Sequence, residues 1–418
     1  MSGEVSVLRA DAIWCGTAGS RITDGAVVIR GDKIAWVGAA EAVPAEYAGA
    51  PSRYFPGATI LPGLIESHSH LSYDGGAGTK KRSFGRSAPN LVAVMISSAR
   101  QLLSVGVTTV RDLGARDNLS IEVRDAVEEG LVRGPRILVA GAQLTTTGGH
   151  TWQNHGRADS PDELRKLVRS HHRAGVDLIK VNATGGFMTA KSAPWFAQFS
   201  VDEMCAIVDE AHRLGKKVAA HAHGVEGIER AVTAGVDTIE HCTFVAEGPT
   251  IAPDLALIDQ IVARGIHVCA TATWNLPQMI RRDPAYRPPV KLMYDRGVQL
   301  IAGNDSGIDG TPHTHYAGGL ETSVILGIPV EEVLIGATSR AAMALDLTGV
   351  TGELTAGASA DLIVVRGDPL ADISAVRDLQ YVLAQGVEFT PDPVRVADPD
   401  PTYAEALAAM VTREEARS

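Results

Sequence analysis

Five short apolar runs, each closing on a side chain that can bind a metal ion, constrain the fold of this chain more than any other feature. They occupy residues 64–70, 177–180, 218–221, 238–241 and 300–305. Each run has only a few apolar residues, which is too short for a helix and typical of a buried strand. Parallel strands that are buried on both faces read as nearly continuous apolar runs. The pattern therefore predicts parallel strands whose ligand-bearing ends meet at one rim.

Strand patterns of this kind alternate with amphipathic helical patterns between residues 60 and 347. The candidate strands are residues 59–64, 107–113, 136–140, 177–182, 218–221, 238–241, 267–273 and 299–303. The candidate helices include residues 91–103, 119–129, 161–174, 201–214, 225–234, 254–263 and 289–296. Eight strands in about 290 residues match a (β/α)8 TIM barrel. A doubly wound sheet, the competing α/β architecture, usually has a G-x-G-x-x-G turn after its first strand, whereas this strand runs into a His-x-His pair.

The two ends of the chain read instead as short strands separated by turns, such as the Gly-Asp pair at residues 31–32. We therefore expect residues 1–59 and 348–418, including the tail, to contribute one small β-sandwich domain built from both termini. Residues 60–347 would form the barrel between them.

Composition narrows the class of partner. The 418 residues include 38 Lys and Arg against 49 Asp and Glu, a formal net charge of −11, which gives no electrostatic support for binding nucleic acid or an anionic membrane. No segment approaches the roughly 18 apolar residues of a membrane helix, and the start lacks the pattern of a signal peptide. We expect a cytoplasmic protein without a nucleic-acid or membrane partner.

Histidines and an aspartate at the strand ends predict a site for divalent cations. His68 and His70 are two residues apart at a strand end and so share one face, although a single His-x-His pair is a weak signal. His221 and His241 close the strands of two successive strand–helix units, and Asp305 closes the eighth strand. Zinc is the commonest metal with such nitrogen and oxygen ligands.

Lys180 closes the fourth strand and allows two interpretations. Alone, it reads as a lysine whose ammonium group extends to the rim. A lysine that faces a buried interior near cations has a depressed pKa, and its neutral amine can add carbon dioxide to give a carbamate, an anionic ligand with two oxygens. The histidines and the aspartate on neighbouring strands favour the second interpretation. Arg111 and Asp112, at the end of the second strand, are expected to form an ion pair.

Taken together, these motifs resemble the metal-dependent amidohydrolase superfamily over essentially the whole chain. The ordered set comprises Pro-Gly-Leu-Ile-Glu-Ser-His-Ser-His at residues 62–70, Lys180, His221 in His-Ala-His-Gly, His241 in Ile-Glu-His-Cys, Asp305, and a return into the β domain at residues 352–362. Residues 107–114, 147–150 and 180–186 are similar to the branch of imidazolonepropionase-like proteins, Xaa-Pro dipeptidases and related carboxypeptidases.

The resemblance implies a hydrolase with two divalent metal ions. The implied ligands are His68, His70 and Asp305 for one metal and His221 and His241 for the other. Carbamylated (N6-carboxy) Lys180 and a hydroxide would bridge the two metals. The hydroxide would attack an amide-type C–N bond of an N-acyl amino acid or dipeptide-like substrate, with Asp305 as the catalytic proton shuttle.

Two further histidines are expected to bind substrate. His150, in the loop after the third strand, resembles the family's substrate-binding histidine. His223 stands where dipeptidase-like members often have a tyrosine, which weakens a specific dipeptidase assignment. Glu66 and Asn304 depart from the aspartate and threonine that are common in the family, and we expect both to lie behind the ligands. The predicted loops also contain aromatic and histidine residues without an assigned role: Trp152, Trp274, Tyr286, His313, His315 and Tyr316.

Several alternatives stay open. The same hydroxide would attack a carbamate, a urea or an ester. A mononuclear deaminase of the superfamily needs no lysine on the fourth strand, so Lys180 argues against it. A scaffold that had lost its site would show gaps among the six ligands, and none is missing. An assembly of identical subunits is expected from the resemblance alone.

Overall fold

The computed structural model describes residues 4–247 and 250–393, so the part of the predicted C-terminal segment beyond residue 393 lies outside the described residues. The chain has a mixed α/β structure. Its strands are β1 Val5–Trp14, β2 Arg21–Arg30, β3 Lys33–Ala39, β4 Ser52–Pro62, β5 Leu64–Ser69, β6 Val107–Asp112, β7 Arg136–Val139, β8 Ile179–Asn182, β9 Val218–Gly224, β10 Thr238–Val245, β11 His267–Cys269, β12 Leu362–Arg366, β13 Leu379–Ala384 and β14 Val387–Phe389.

The α-helices fill the intervals between most of the central strands. They are α1 Thr79–Gly85, α2 Ala88–Ser104, α3 Ser120–Glu128, α4 Pro161–Ala174, α5 Val201–Arg213, α6 Val225–Ala234, α7 Leu255–Ala263, α8 Leu276–Arg282, α9 Val290–Asp295, α10 Tyr316–Ile325, α11 Val330–Gly336 and α12 Ser339–Ala344. None of these helices combines the length and the hydropathy needed to span a bilayer.

Local sequence signals place several helix ends. The Ser200 side chain accepts a hydrogen bond from the backbone N–H of Glu203, whose carboxylate accepts from the Ser200 N–H in return, and this capping box begins α5. Ser160 caps α4 in the same position. Gly175 and Gly235, at φ 95° and 83°, end α4 and α6 in the left-handed conformation that glycine adopts most readily.

Seven central strands form two parallel sheets, ordered β5-β6-β7 and β11-β10-β9-β8. Isolated parallel bridges link the two sheets: Leu144 pairs with Val181 of β8, while Leu300 pairs with Val268 of β11. Ser306 then pairs with Ser69 of β5. The predicted strand at residues 299–303 is therefore a bridged segment between β11 and β5. Because these pairings are all parallel, the carboxyl ends of the strands lie on one side.

Strands from both ends of the chain share a single seven-stranded sheet, ordered β14-β13-β12-β4-β1-β2-β3. Leu8, Ile60 and Val364 belong to one of its buried clusters, whereas Val7 and Val28 belong to another that includes Tyr47. A sandwich of two packed sheets stays a prediction, as do the two domain boundaries.

The first predicted strand, residues 59–64, is divided between two sheets. The backbone N–H of Gly63 donates to Asp361 O at 3.0 Å, whereas that of Leu64 donates to Gly106 O at 3.0 Å. A Cβ atom added to Gly63 would lie 2.0 Å from Oγ1 of Thr108, so only glycine fits where the chain crosses from β4 to β5. A continuous apolar run does not reveal this change of hydrogen-bond partner.

Candidate functional site

The ligand-bearing strand ends surround one cavity of about 250 Å³. Its lining includes all six predicted ligands, His68, His70, Lys180, His221, His241 and Asp305, together with His150 and His223. The structure thus brings together every residue that the sequence assigned to the site. Their roles as ligands or substrate contacts stay predictions.

His68, His70 and Asp305 form the first group, with potential ligand atoms all within 4.8 Å of one another. Oδ1 of Asp305 lies 3.4 Å from Nε2 of His68 and 3.2 Å from Nε2 of His70. Burial acts to raise the pKa of Asp305, but the two histidines and Lys180 outweigh it and hold that pKa below its ordinary value. Two imidazole nitrogens and a charged carboxylate suit a divalent cation.

Buried partners fix the orientation of His68. Its Nδ1–H donates to Oε2 of Glu240 at 3.0 Å, and Arg111 donates to the other Glu240 oxygen at 2.7 Å and to Ser67 O at 2.6 Å. A carboxylate on the distal nitrogen of a metal-binding histidine holds its tautomer and leaves the second nitrogen free. The expected pair of Arg111 with Asp112 is wrong, because adjacent strand residues point to opposite faces.

Glu66 connects the two strands that carry the first group. It accepts hydrogen bonds from the backbone N–H groups of His68 and Asn304, both at 3.0 Å, and from the Ser306 hydroxyl at 2.8 Å. Burial raises the pKa of Glu66 to about 8. As expected, Glu66 and Asn304 lie behind the predicted ligands, and Glu66 ties the His68 strand to the backbone that precedes Asp305.

His221, His223 and His241 form a second group, again with potential ligand atoms within 4.8 Å of one another. Burial and the neighbouring histidines hold the pKa of His221 and of His241 well below the ordinary value, and burial lowers that of His223 to about 3. All three rings are therefore neutral near pH 7, which is the form that binds metal. The presence of His223 in this group was not predicted.

Lys180 also lines the cavity, and its Nζ is buried without a hydrogen-bond partner among the described residues. Burial lowers the pKa of this amine to about 8, against the opposing charges of Glu240 and Asp305. A buried, unpaired ammonium group is costly, whereas a carbamate on the same atom would offer two oxygens to nearby cations. This orphaned nitrogen fits the predicted carboxylation and bridging of two metals.

The backbone is strained at the cavity. His241, Thr271 and Asp305 have φ values of 71°, 47° and 56°, in the left-handed region that costs of order 1–3 kcal/mol for a residue other than glycine. Such conformations cluster at functional sites, and here they occur at two of the predicted ligands.

His150 and several apolar side chains also line the cavity. The His150 ring stacks on His221 with centroids 4.7 Å apart. Tyr286, one of the loop aromatics, lines the cavity and packs against Phe187 at 6.0 Å. Tyr316 instead lies fully buried, where its hydroxyl donates to Ile65 O at 2.6 Å. Its contact is therefore with the backbone of β5.

Known proteins match almost the entire chain. Ochratoxinase from Aspergillus niger is 27% identical over 91% of this chain and 85% of its own length. Imidazolonepropionase from Mesorhizobium japonicum is 27% identical over 84% of this chain and 88% of its own. The crystal structure of a Xaa-Pro dipeptidase with bound methionine in its active site superposes with a TM-score of 0.80 at 26% identity, covering 92% of this chain and 100% of that chain.

Family models agree with these relatives. One described as an imidazolonepropionase-like composite domain of bacteria matches residues 25–50. Another, described as the amidohydrolase family, matches residues 59–388 and so includes all six predicted ligands. The chain belongs to the amidohydrolase family.

Proposed function

We propose that this protein is a binuclear metal-dependent hydrolase that cleaves an amide-type C–N bond. The observation that carries this proposal is the convergence of six ligand side chains on one cavity, with the buried amine of Lys180 left unpaired among them. In this proposal the two parallel sheets and residues 300–306 form a (β/α)8 barrel, and the strands from the two termini form its accessory β domain.

Each group would hold one divalent cation, and zinc is the proposed metal. His68, His70 and Asp305 would bind the first, His221 and His241 would bind the second, and carboxylated Lys180 would bridge them. When bound, two such cations lower the pKa of a shared water and polarise a substrate carbonyl.

Asp305 would move the proton. Its lowered pKa keeps the carboxylate in the basic form, ready to accept a proton from the attacking water. It would then pass that proton to the nitrogen of the departing amine, because cleavage of a C–N bond requires a neutral leaving group. Glu240 contributes indirectly, by holding Nε2 of His68 towards Asp305.

An N-acyl amino acid or a dipeptide-like amide is the proposed substrate class. The names of the relatives, which include an imidazolonepropionase and a Xaa-Pro dipeptidase, support a substrate of this kind. His150 would contact the substrate's carboxylate. The apolar side of the cavity, with Phe187 and Tyr286, would contact its hydrocarbon part.

A substrate panel tests the proposed reaction. Protein loaded with zinc in bicarbonate buffer would be incubated with N-acyl amino acids, dipeptides and matched carbamates, ureas and esters, and the released amine or alcohol would be measured. We expect amide cleavage that a chelator abolishes and added zinc restores. Cleavage that persists after complete metal removal, or hydrolysis of the esters alone, would refute it.

A further inference from the structure

His223 lies among the proposed ligands of the second cation. Its ring stacks on His241 with centroids 4.3 Å apart and meets His221 edge-on at 4.7 Å. All three side chains are buried, and the ligand nitrogens of the group lie within 4.8 Å of one another.

Hydrogen bonds define which nitrogen of His223 is free. The Thr243 hydroxyl lies 3.4 Å from the carbonyl oxygen of His223, to which it can donate. The same hydroxyl oxygen therefore accepts from Nδ1–H of His223 at 2.9 Å. Nδ1 carries the proton in this arrangement, so Nε2 keeps its lone pair.

The other two histidines are held in a similar way. Nε2–H of His221 donates to the carbonyl oxygen of Gly185 at 3.0 Å, which leaves Nδ1 free. Nδ1 of His241 lies 2.9 Å from the hydroxyl of Thr271, which leaves Nε2 free. Each ring thus has its distal nitrogen anchored, as metal-binding histidines almost always do.

We propose that His223 is a third imidazole ligand of the cation bound by His221 and His241, an inference that rests on the proposed metal-dependent function. With carboxylated Lys180, this cation would have four protein ligands instead of three. The cation at His68, His70 and Asp305 would likewise have four protein ligands, because carboxylated Lys180 would be shared by both. Three imidazoles also favour zinc or cobalt over magnesium or manganese at the second site.

The geometry needs only a small contraction. Two nitrogens bound tetrahedrally to one zinc ion at about 2.1 Å lie about 3.4 Å apart. Rings whose nitrogens lie within 4.8 Å of one another reach that separation when each moves by less than about 1 Å, which the adjustment of a side chain allows.

Paired substitutions in the full-length chain test this assignment. His223→Phe removes the proposed ligand, and His171→Phe removes a buried histidine of α4 that does not line the cavity. Zinc affinity would be measured by competition with a chromophoric chelator in bicarbonate buffer, with circular dichroism to verify folding. We expect His223→Phe to weaken one of two sites by about a hundredfold or more, since even outer partners of a ligand contribute about 10–100-fold. His171→Phe should leave both affinities unchanged.

Threonine substitutions give a second test that leaves every histidine in place. Thr271→Val removes the anchor of His241, a proposed ligand in any case, and should weaken zinc binding by about 10–100-fold. Thr243→Val should do the same if His223 is a ligand. In cobalt-loaded protein, both variants should change the visible absorption of one site.

The outcomes separate the two proposals. Suppose that the wild-type chain binds two cations and that Thr271→Val alters zinc affinity and cobalt absorption. If neither His223→Phe nor Thr243→Val then alters them, His223 is not a ligand, and the proposed hydrolase stands. If the wild-type chain binds no cation, both proposals are refuted together.

Discussion

Lys180 and Asp305 face the same cavity but have different parts in the proposed chemistry. Lys180→Ala should remove most of the bound metal, since the bridging carbamate is lost. Asp305→Asn should keep much of the metal and lower turnover by about 10²–10⁴-fold, the usual contribution of a general acid–base group. Metal analysis of each variant, together with its rate of amine release, checks both. A Lys180→Ala protein with full metal content and activity would refute the carbamate.

Glu240 has no direct part in catalysis, yet its substitution should affect both stability and metal binding. Glu240→Gln places an amide donor against Arg111 or His68 and breaks a fully buried ion pair, which costs about 3–5 kcal/mol. It should also weaken zinc binding by about 10–100-fold. Urea denaturation and chelator competition measure the two effects. Glu226→Gln is the control, because it removes only an exposed partner of Arg230, and it should change the free energy of unfolding by less than about 0.5 kcal/mol. A loss as large as that of Glu240→Gln would show that burial of the ion pair is not the cause.

For individual residues, the sequence predicts which side chains surround the cavity but not which hydrogen bonds they form with one another. The identity of His68 and its place at a strand end follow from the local pattern. Its bond to Glu240, which lies on β10, depends on the arrangement of distant strands, and no local pattern contains that information. The same limit explains why the sequence predicts a substrate contact for His223, although this residue lies beside His241.

Among the elements, the crossing from β4 to β5 should tolerate an added methyl group poorly. Gly63→Ala places a Cβ atom against Thr108, and overpacking of this kind costs about 1–3 kcal/mol. Gly49→Ala, where a Cβ atom would have nothing within 4 Å, is the matched control and should be close to neutral. Thermal denaturation of the two variants measures the difference, and equal melting temperatures would contradict the proposed clash.

Helix ends could be predicted more closely than strand ends. Ser200 and Gly175 act on backbone groups within a few residues of themselves, so a short window of sequence contains the whole signal. The predicted strand at residues 59–64 is extended in β4 and β5, whereas residues 299–303 contain only the isolated bridge at Leu300. The first of these segments is divided at Gly63 and the second keeps one bridge because the hydrogen-bond partners of both lie elsewhere in the chain.

For the molecule as a whole, His171 links stability to pH. Burial on α4 lowers its pKa to about 4, whereas the unfolded ring has a pKa of about 6.5. Between these values the unfolded chain binds the additional proton, so stability is lost as the pH falls from about 6.5 through about 4. The loss from this residue approaches about 3 kcal/mol.

Denaturant unfolding of wild-type and His171→Gln protein at several pH values would detect this linkage. The variant should lose less stability than the wild type between pH 7 and pH 4. His172→Gln, at the exposed neighbouring position, serves as the control and should follow the wild type. A His171→Gln curve as steep as that of the wild type would show that this ring is not the source.

The number of metal ions per chain, measured by mass spectrometry on protein purified with bicarbonate present, tests the central claim most directly. A binuclear site bridged by carboxylated Lys180 predicts about two zinc-like ions per chain. A single ion would instead favour a mononuclear deaminase. No ion, even after metal and bicarbonate are added back, would contradict metal-dependent hydrolysis altogether.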